Sequence, residues 1–144
     1  MASAPLLRPS ELLASTGLAV PAVPVITVYK TATCGCCTAW IRHMEANGFT
    51  ARAQDVGDLG AIKRRFGVPD SLASCHTGLV AGYVVEGHVP ADLVTRMLNE
   101  KPSGLGIAVP GMPIGSPGME GGTPEKYDVL LFDNRGRSTV YASR

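Results

Sequence analysis

The run VITVYKTATCGCCTAWIRHMEANG, Val25 to Gly48, changes its period once, and that change commits the chain to a strand followed by a helix. Val25 to Lys30 is β-branched and aromatic, the composition of a strand. Thr31 to Gly35 reads as a short loop. From Cys36 onward Ala39, Trp40 and Met44 recur at helical spacing, and Asn47-Gly48 supplies the stop. Three of the four cysteines, Cys34, Cys36 and Cys37, stand at this junction of loop and helix. The fourth, Cys75, lies far along the chain and is followed at once by His76.

The pattern continues in the same alternation. Phe49 to Val56 reads as a second strand, weakened by Arg52 and Gln54. Asp58 caps a helix predicted over Leu59–Phe66, which Gly67 and Pro69 close. One or two short strands are expected around Gly78 to Glu86. Pro90 then opens a helix with Leu93, Val94, Met97 and Leu98 on one face and a stop at Pro102. Ser103 to Gly122 is too rich in Gly and Pro for a regular helix, and it carries Met112 and Met119. Tyr127–Phe132 and Ser138–Tyr141 read as a hairpin turning at Asp133–Gly136. The order βαβα then ββα predicts an α/β, thioredoxin-like fold with an added Gly/Pro/Met-rich loop and a C-terminal β-hairpin. The expected organisation is one metal-binding domain over residues 25–144. Residues 1–24 form a leader outside it, disordered or the remnant of an export signal.

A chain of 144 residues at 45% hydrophobic content buries a core without needing disulfides, so its cysteines call for a chemical reason. A formal net charge of +1 and no long basic run argue against nucleic acid. No apolar stretch is long enough for membrane insertion. Lys63, Arg64 and Arg65 form the one basic cluster, which reads as a solvated helix face. The first 24 residues make a poor export signal. Their apolar run is broken by Pro9, Ser10 and Glu11, and they lack a basic cluster.

Two chemistries compete for the cysteines. Cys34 and Cys37 form a C-x-x-C pair at a helix N-terminus, where free N–H groups favour a thiolate, so Cys34 would attack and Cys37 resolve. Cys36 serves no purpose in that exchange. In a metal site it is an asset. Cys34, Cys36, Cys37 and Cys75 would supply soft thiolates that select Cu(I), including a multinuclear Cu(I) cluster, with zinc as the competing ion in a structural module. A disulfide from the trio to Cys75 is a third arrangement. Met112 and Met119 are thioether candidates, and His76 and His88 imidazole candidates. The blander readings are a gap-filling role for each Met, an outer-shell or solvent position for His76, and a hydrogen bond at a helix start for His88. His43 and Lys30 read as surface residues, and Trp40, Met44 and Met97 as core.

VYKTATCGCCTAWIRHMEANGF, GVPDSLASCHTGLVAGYVVEGHVPADLVTRML and GIAVPGMPIGSPGME, in that order, together resemble the CopG-like family of bacterial copper-resistance proteins. The resemblance spans Val25 to the C-terminus. It implies a thioredoxin-like fold, a periplasmic location and the handling of Cu(I), with redox conversion of copper as a further activity. Copper-efflux or copper-chaperone proteins are the partners it implies. Its motif covers Cys34, Cys36, Cys37, Cys75, His76, His88, Met112 and Met119. The weak export signal leaves the cytoplasm as the alternative compartment.

Overall fold

The computed structural model describes residues 23–144. The leader expected over residues 1–24 therefore falls almost wholly outside the described residues. The described residues form a mixed α/β structure with three α-helices and one seven-stranded sheet. In chain order the elements are β1 (Val25–Lys30), α1 (Gly35–Ala46), β2 (Thr50–Asp55), α2 (Leu59–Arg65), β3 (Thr77–Val80), β4 (Tyr83–Glu86), α3 (Ala91–Glu100), β5 (Gly106–Ala108), β6 (Asp128–Phe132) and β7 (Ser138–Ser143). A 3₁₀ turn, Asp70–Leu72, precedes β3. The sheet order is β2-β1-β3-β4-β5-β6-β7.

Local chemistry sets the element ends. The Asp58 side chain accepts from Ala61 N at 3.0 Å and starts α2. Lys101, in the left-handed conformation, ends α3. The one strand absent from the sequence reading is β5, three residues inside the Gly-rich segment. It exists because it can lie against β4, with Val85 opposite Ile107. Gly106 permits that approach, since a Cβ there would meet Val84 O at 1.8 Å.

Alternation along the strands feeds two cores. Ile26, Val28, Val85, Ile107 and Val129 face one side and pack with Trp40, Ile41 and Met44 of α1 and Leu93, Val94 and Met97 of α3. Val84, Ala108 and Phe132 face the other side with Val68 and Leu72. Thus α1 and α3 share a face and α2 lies opposite. The parallel pairs β1–β2 and β4–β5 step in opposite directions across the sheet, between strands that run the same way. With both crossover helices on one face, the two crossovers have opposite hands, so one departs from the usual right-handed rule.

Two residues expected at the solvated surface are not there. Lys30 is 8% exposed and its Nζ meets Asp55 Oδ1 at 2.6 Å. Lys63 leaves the basic cluster and pairs with the fully buried Glu86 at 2.5 Å. A buried carboxylate demands such a partner, and the helical pattern alone could not reveal it.

The sheet register gathers one end of the fold. The C-terminal ends of β1, β4 and β5 and the N-terminal start of β3 lie together, because β3 runs antiparallel to β1 and β4 while β5 runs parallel to β4. Every loop bearing a predicted site residue leaves or enters the sheet there. Gly106→Ala is expected to lower unfolding stability by at least about 3 kcal/mol, since backbone cannot yield to a Cβ. Gly35→Ala, with open space around it, should change it by less than about 0.5 kcal/mol. Urea denaturation of both variants checks this.

Candidate metal centre

Cys34 is the N-cap of α1, and its sulfur accepts from Cys37 N at 3.3 Å. Cys34 and Cys37 are joined by a disulfide, while Cys36 and Cys75 are free. Cys36 Sγ lies 3.5 Å from Cys34 Sγ, 3.8 Å from Cys75 Sγ and 4.0 Å from Met112 Sδ. The four cysteine sulfurs all fall within 4.8 Å of one another. The disulfide expected as one alternative, from the trio to Cys75, is not the one formed. In the disulfide form Cys34 and Cys37 offer no thiolate, so the four-sulfur donor set requires reduction. As half of a disulfide, Cys37 Sγ carries no proton, and its 3.7 Å approach to Cys75 O is a packing contact.

A second trio overlaps the first. Cys75 Sγ, His76 and His88 also bring one donor atom each within 4.8 Å of one another. Their protons can be placed by elimination. His88 Nδ1 lies 2.6 Å from Pro117 O, and a carbonyl only accepts, so Nδ1 carries the proton. In neutral His88 the other nitrogen, Nε2, then accepts, and Cys75 S–H donates to it across 2.9 Å. Burial, followed by the neighbouring Cys36, pushes Cys75 up to about 12, which keeps that proton on the sulfur. With the Cys75 proton engaged, His76 Nδ1–H donates to the same sulfur at 3.3 Å. His76 Nε2 is the one buried side-chain nitrogen or oxygen without a partner among the described residues.

Four sulfurs at hydrogen-bond separations, a thioether beside them and two imidazoles behind make a soft donor set, and this set fits a thiophilic ion such as Cu(I) or zinc. The free N–H groups at the start of α1 offset part of the charge that reduced sulfurs would bring.

Two solved structures are similar to this chain over most of its length. One, entitled "Copper resistance protein copG- Form 2", is 45% identical with a TM-score of 0.79 and covers 84% of this chain and 98% of its own. The other, "Copper resistance protein copG- Form 1", is 47% identical with a TM-score of 0.79 and covers 83% and 96%. The chain belongs to the CopG family of copper resistance proteins. A family model described as "Protein of unknown function, DUF411" matches residues 72–119, a stretch that includes Cys75, His76, His88, Met112 and Met119. Comparison with curated proteins finds no match.

The predicted residues fall in different places in the fold. Cys34, Cys36, Cys37, Cys75 and Met112 come together, and Met112 is half exposed at the rim. Met119 is partly buried, and its backbone N–H bonds to Ser116 O at 2.8 Å. Among the described residues its sulfur enters none of the contacts that link Cys34, Cys36, Cys75 and Met112. His76 and His88 are fully buried beside Cys75, so the solvent position expected for His76 is wrong. Its ring packs tilted against Trp40, 4.4 Å between centroids, and that packing shuts out water. The helix-start bond expected of His88 belongs instead to His43, whose Nε2 accepts from Ala91 N at 3.0 Å. His43 is therefore not a plain surface residue. Trp40 is core, as expected, and its Nε1 donates to Val89 O at 2.9 Å. Sequence reasoning missed Pro117 and Ser74, which act through a backbone carbonyl and a common hydroxyl that carry no pattern.

The buried histidines make a pH prediction. Burial, then His88 and Lys63, push His76 down from 6.5 to about 3. Between those values the unfolded chain binds a proton that the folded chain refuses. Stability is thus full above about pH 6.5 and is lost as pH falls toward 3. Burial lowers His43 and His88 as well, with the same sign. Reduced, metal-free protein should lose about 1.4 kcal/mol per pH unit from His76 in this window. His76→Gln should lose less, and equal slopes of urea midpoint against pH in both proteins would contradict the assignment.

Proposed function

We propose that the protein binds Cu(I) in copper resistance, through the thiolates of Cys34, Cys36, Cys37 and Cys75. The observation that carries this reading is the position of Cys36, in contact with Cys34, Cys75 and Met112 at once. A thiolate has lone pairs to share, so a central sulfur is suited to bridge more than one soft ion. Met112 is a thioether donor at the rim. His76 and His88 stand behind Cys75 as further donors, or His88 accepts its proton while His76 donates to its sulfur, and Met119 ranks below them. Copper is cargo in this reading, passed to or from efflux or chaperone proteins. Among the described residues no helix is long and apolar enough to cross a membrane. The copper-resistance relatives support the periplasm as the place of action. The order β1-α1-β2-α2-β3-β4-α3, with β2-β1-β3-β4 side by side, supports a thioredoxin-like core.

The Cys34–Cys37 disulfide favours a second reading, an oxidoreductase acting on copper or on thiols. Two Cu(II) ions would take one electron each from the Cys34/Cys37 dithiol. The products are two Cu(I), a disulfide and two protons. Cys36, Cys75 and Met112 would then retain Cu(I) beside the spent pair.

Titration of reduced protein with Cu(I) against a competing chelator, without oxygen, is expected to show tight uptake of at least one ion. Cys36→Ser should weaken it by more than the roughly 10- to 100-fold expected of an outer partner. Met112→Ala should weaken it without unfolding the chain. Unchanged uptake in Cys36→Ser would refute the bridging role. For the second reading, Cu(II) added to reduced protein should yield Cu(I) and the Cys34–Cys37 disulfide by mass spectrometry. Cys37→Ala should abolish both products. Metal content as purified separates copper from zinc.

A further inference from the structure

Cys75 lies just outside β3, in the segment Ala73–His76 between the 3₁₀ turn and the strand. What fixes it is a buried polar network away from the sulfurs. Glu86, fully buried on β4, accepts at Oε1 from Thr77 Oγ1 at 2.6 Å. Its Oε2 accepts from Lys63 Nζ at 2.5 Å and from Ser74 N at 2.8 Å. Lys63 Nζ also donates to Thr77 Oγ1 at 3.0 Å. The carboxylate therefore grips the amide immediately before Cys75. From the same residue, Ser74 Oγ donates to Gly111 O at 2.5 Å, the residue immediately before Met112. Ser74 is also wedged against Gly87, where a Cβ would come within 2.6 Å of Ser74 Cβ and of Val109 O.

A buried ion pair is a poor way to gain stability, since apolar residues of the same volume serve as well or better. Its use here is registry. We propose that Lys63, Glu86, Thr77 and Ser74 are positioning residues that set Cys75 and Met112 at a fixed separation across the site. Ser74 is the joint: its amide belongs to the Glu86 network and its hydroxyl to the Met112 loop. Lys63 reaches this joint from α2, on the far side of the sheet from α1, so both faces of the fold bear on one pair of ligand loops. The proposal deepens the Cu(I) reading and, for its metal arm, rests on it.

The test uses two variants and two readouts. Ser74→Ala keeps the amide bond to Glu86 and removes the bond to Gly111. Glu86→Gln keeps the shape and removes the charge that grips Ser74 N and Lys63. In reduced, metal-free protein, amide hydrogen exchange across residues 110–120 is expected to quicken about five- to tenfold in Ser74→Ala, the worth of one hydrogen bond. Exchange in β1 and β4 should stay unchanged, which a merely structural defect would not allow. Cu(I) affinity should fall about 10- to 100-fold in both variants, as for other partners that orient a ligand. Unchanged exchange in the loop of Ser74→Ala overturns the proposal. So does wild-type Cu(I) affinity in a variant whose loop has loosened. If Glu86→Gln does not fold, Ser74→Ala alone decides. Wild-type protein that takes up no Cu(I) sinks the metal reading by itself, and the exchange result, measured without metal, still decides the positioning claim.

Discussion

The antiparallel pairing of β3 with β1 is the constraint on which the site depends. Thr77 stands opposite Tyr29, so β3 begins where β1 ends. The chain entering β3 therefore passes over the start of α1, and Cys75, two residues before the strand, lands 3.8 Å from Cys36. No interaction between the sulfurs could achieve this alone. Thirty-nine residues separate the two thiols, and closing a loop of that length costs entropy that a sulfur contact does not return. The backbone ladder meets that cost, and the sulfurs inherit the geometry. The same ladder, continued through β4 and β5, brings His88 and Met112 to the same end of the sheet.

Charge then limits what the assembled sulfurs can be. Four thiolates within 4.8 Å of one another repel strongly, more so where Cys37 is fully buried and water cannot screen them. Something must cancel the charge. The structure uses two devices: a disulfide takes Cys34 and Cys37 out of the account, and a proton stays on Cys75, shared with His88. A bound soft cation would be a third. The three are mutually exclusive at a given sulfur, so reduction, deprotonation and metal uptake are coupled by electrostatics rather than by any moving part. The buried Lys63–Glu86 pair obeys the same rule on the other side of Cys75, with each charge neutralised by its partner.

Much of the fold was legible in the residues. Val25–Lys30 was read as a strand with its observed bounds, and the Asp58 cap and the hairpin through Asp133–Gly136 were likewise visible, because each rests on local chemistry. The convergence of Cys34, Cys36, Cys37 and Cys75 was expected from the βα junction and the topology it implied. What escaped was set by partners distant in sequence. β5 has three residues, one of them Gly, too few to signal a strand, and it forms because β4 and β6 pair with it on either side. The helix-start bond expected of His88 falls to His43 because the cap of α3 is supplied from α1, a neighbour no periodicity names. Lys63 sat in a basic run whose bland meaning was correct for Arg64 and Arg65, both more exposed.

The sequence by itself determined the local units, the crowding of three thiols at a helix start, and the softness of the donor set, since these follow from residue type and near spacing. The tertiary structure decided which sulfurs are bonded to each other, that both His76 and His88 touch Cys75, and that Met112 reaches Cys36. Those outcomes depend on distances of a few ångströms between loops far apart in the chain, and only the sheet register sets them.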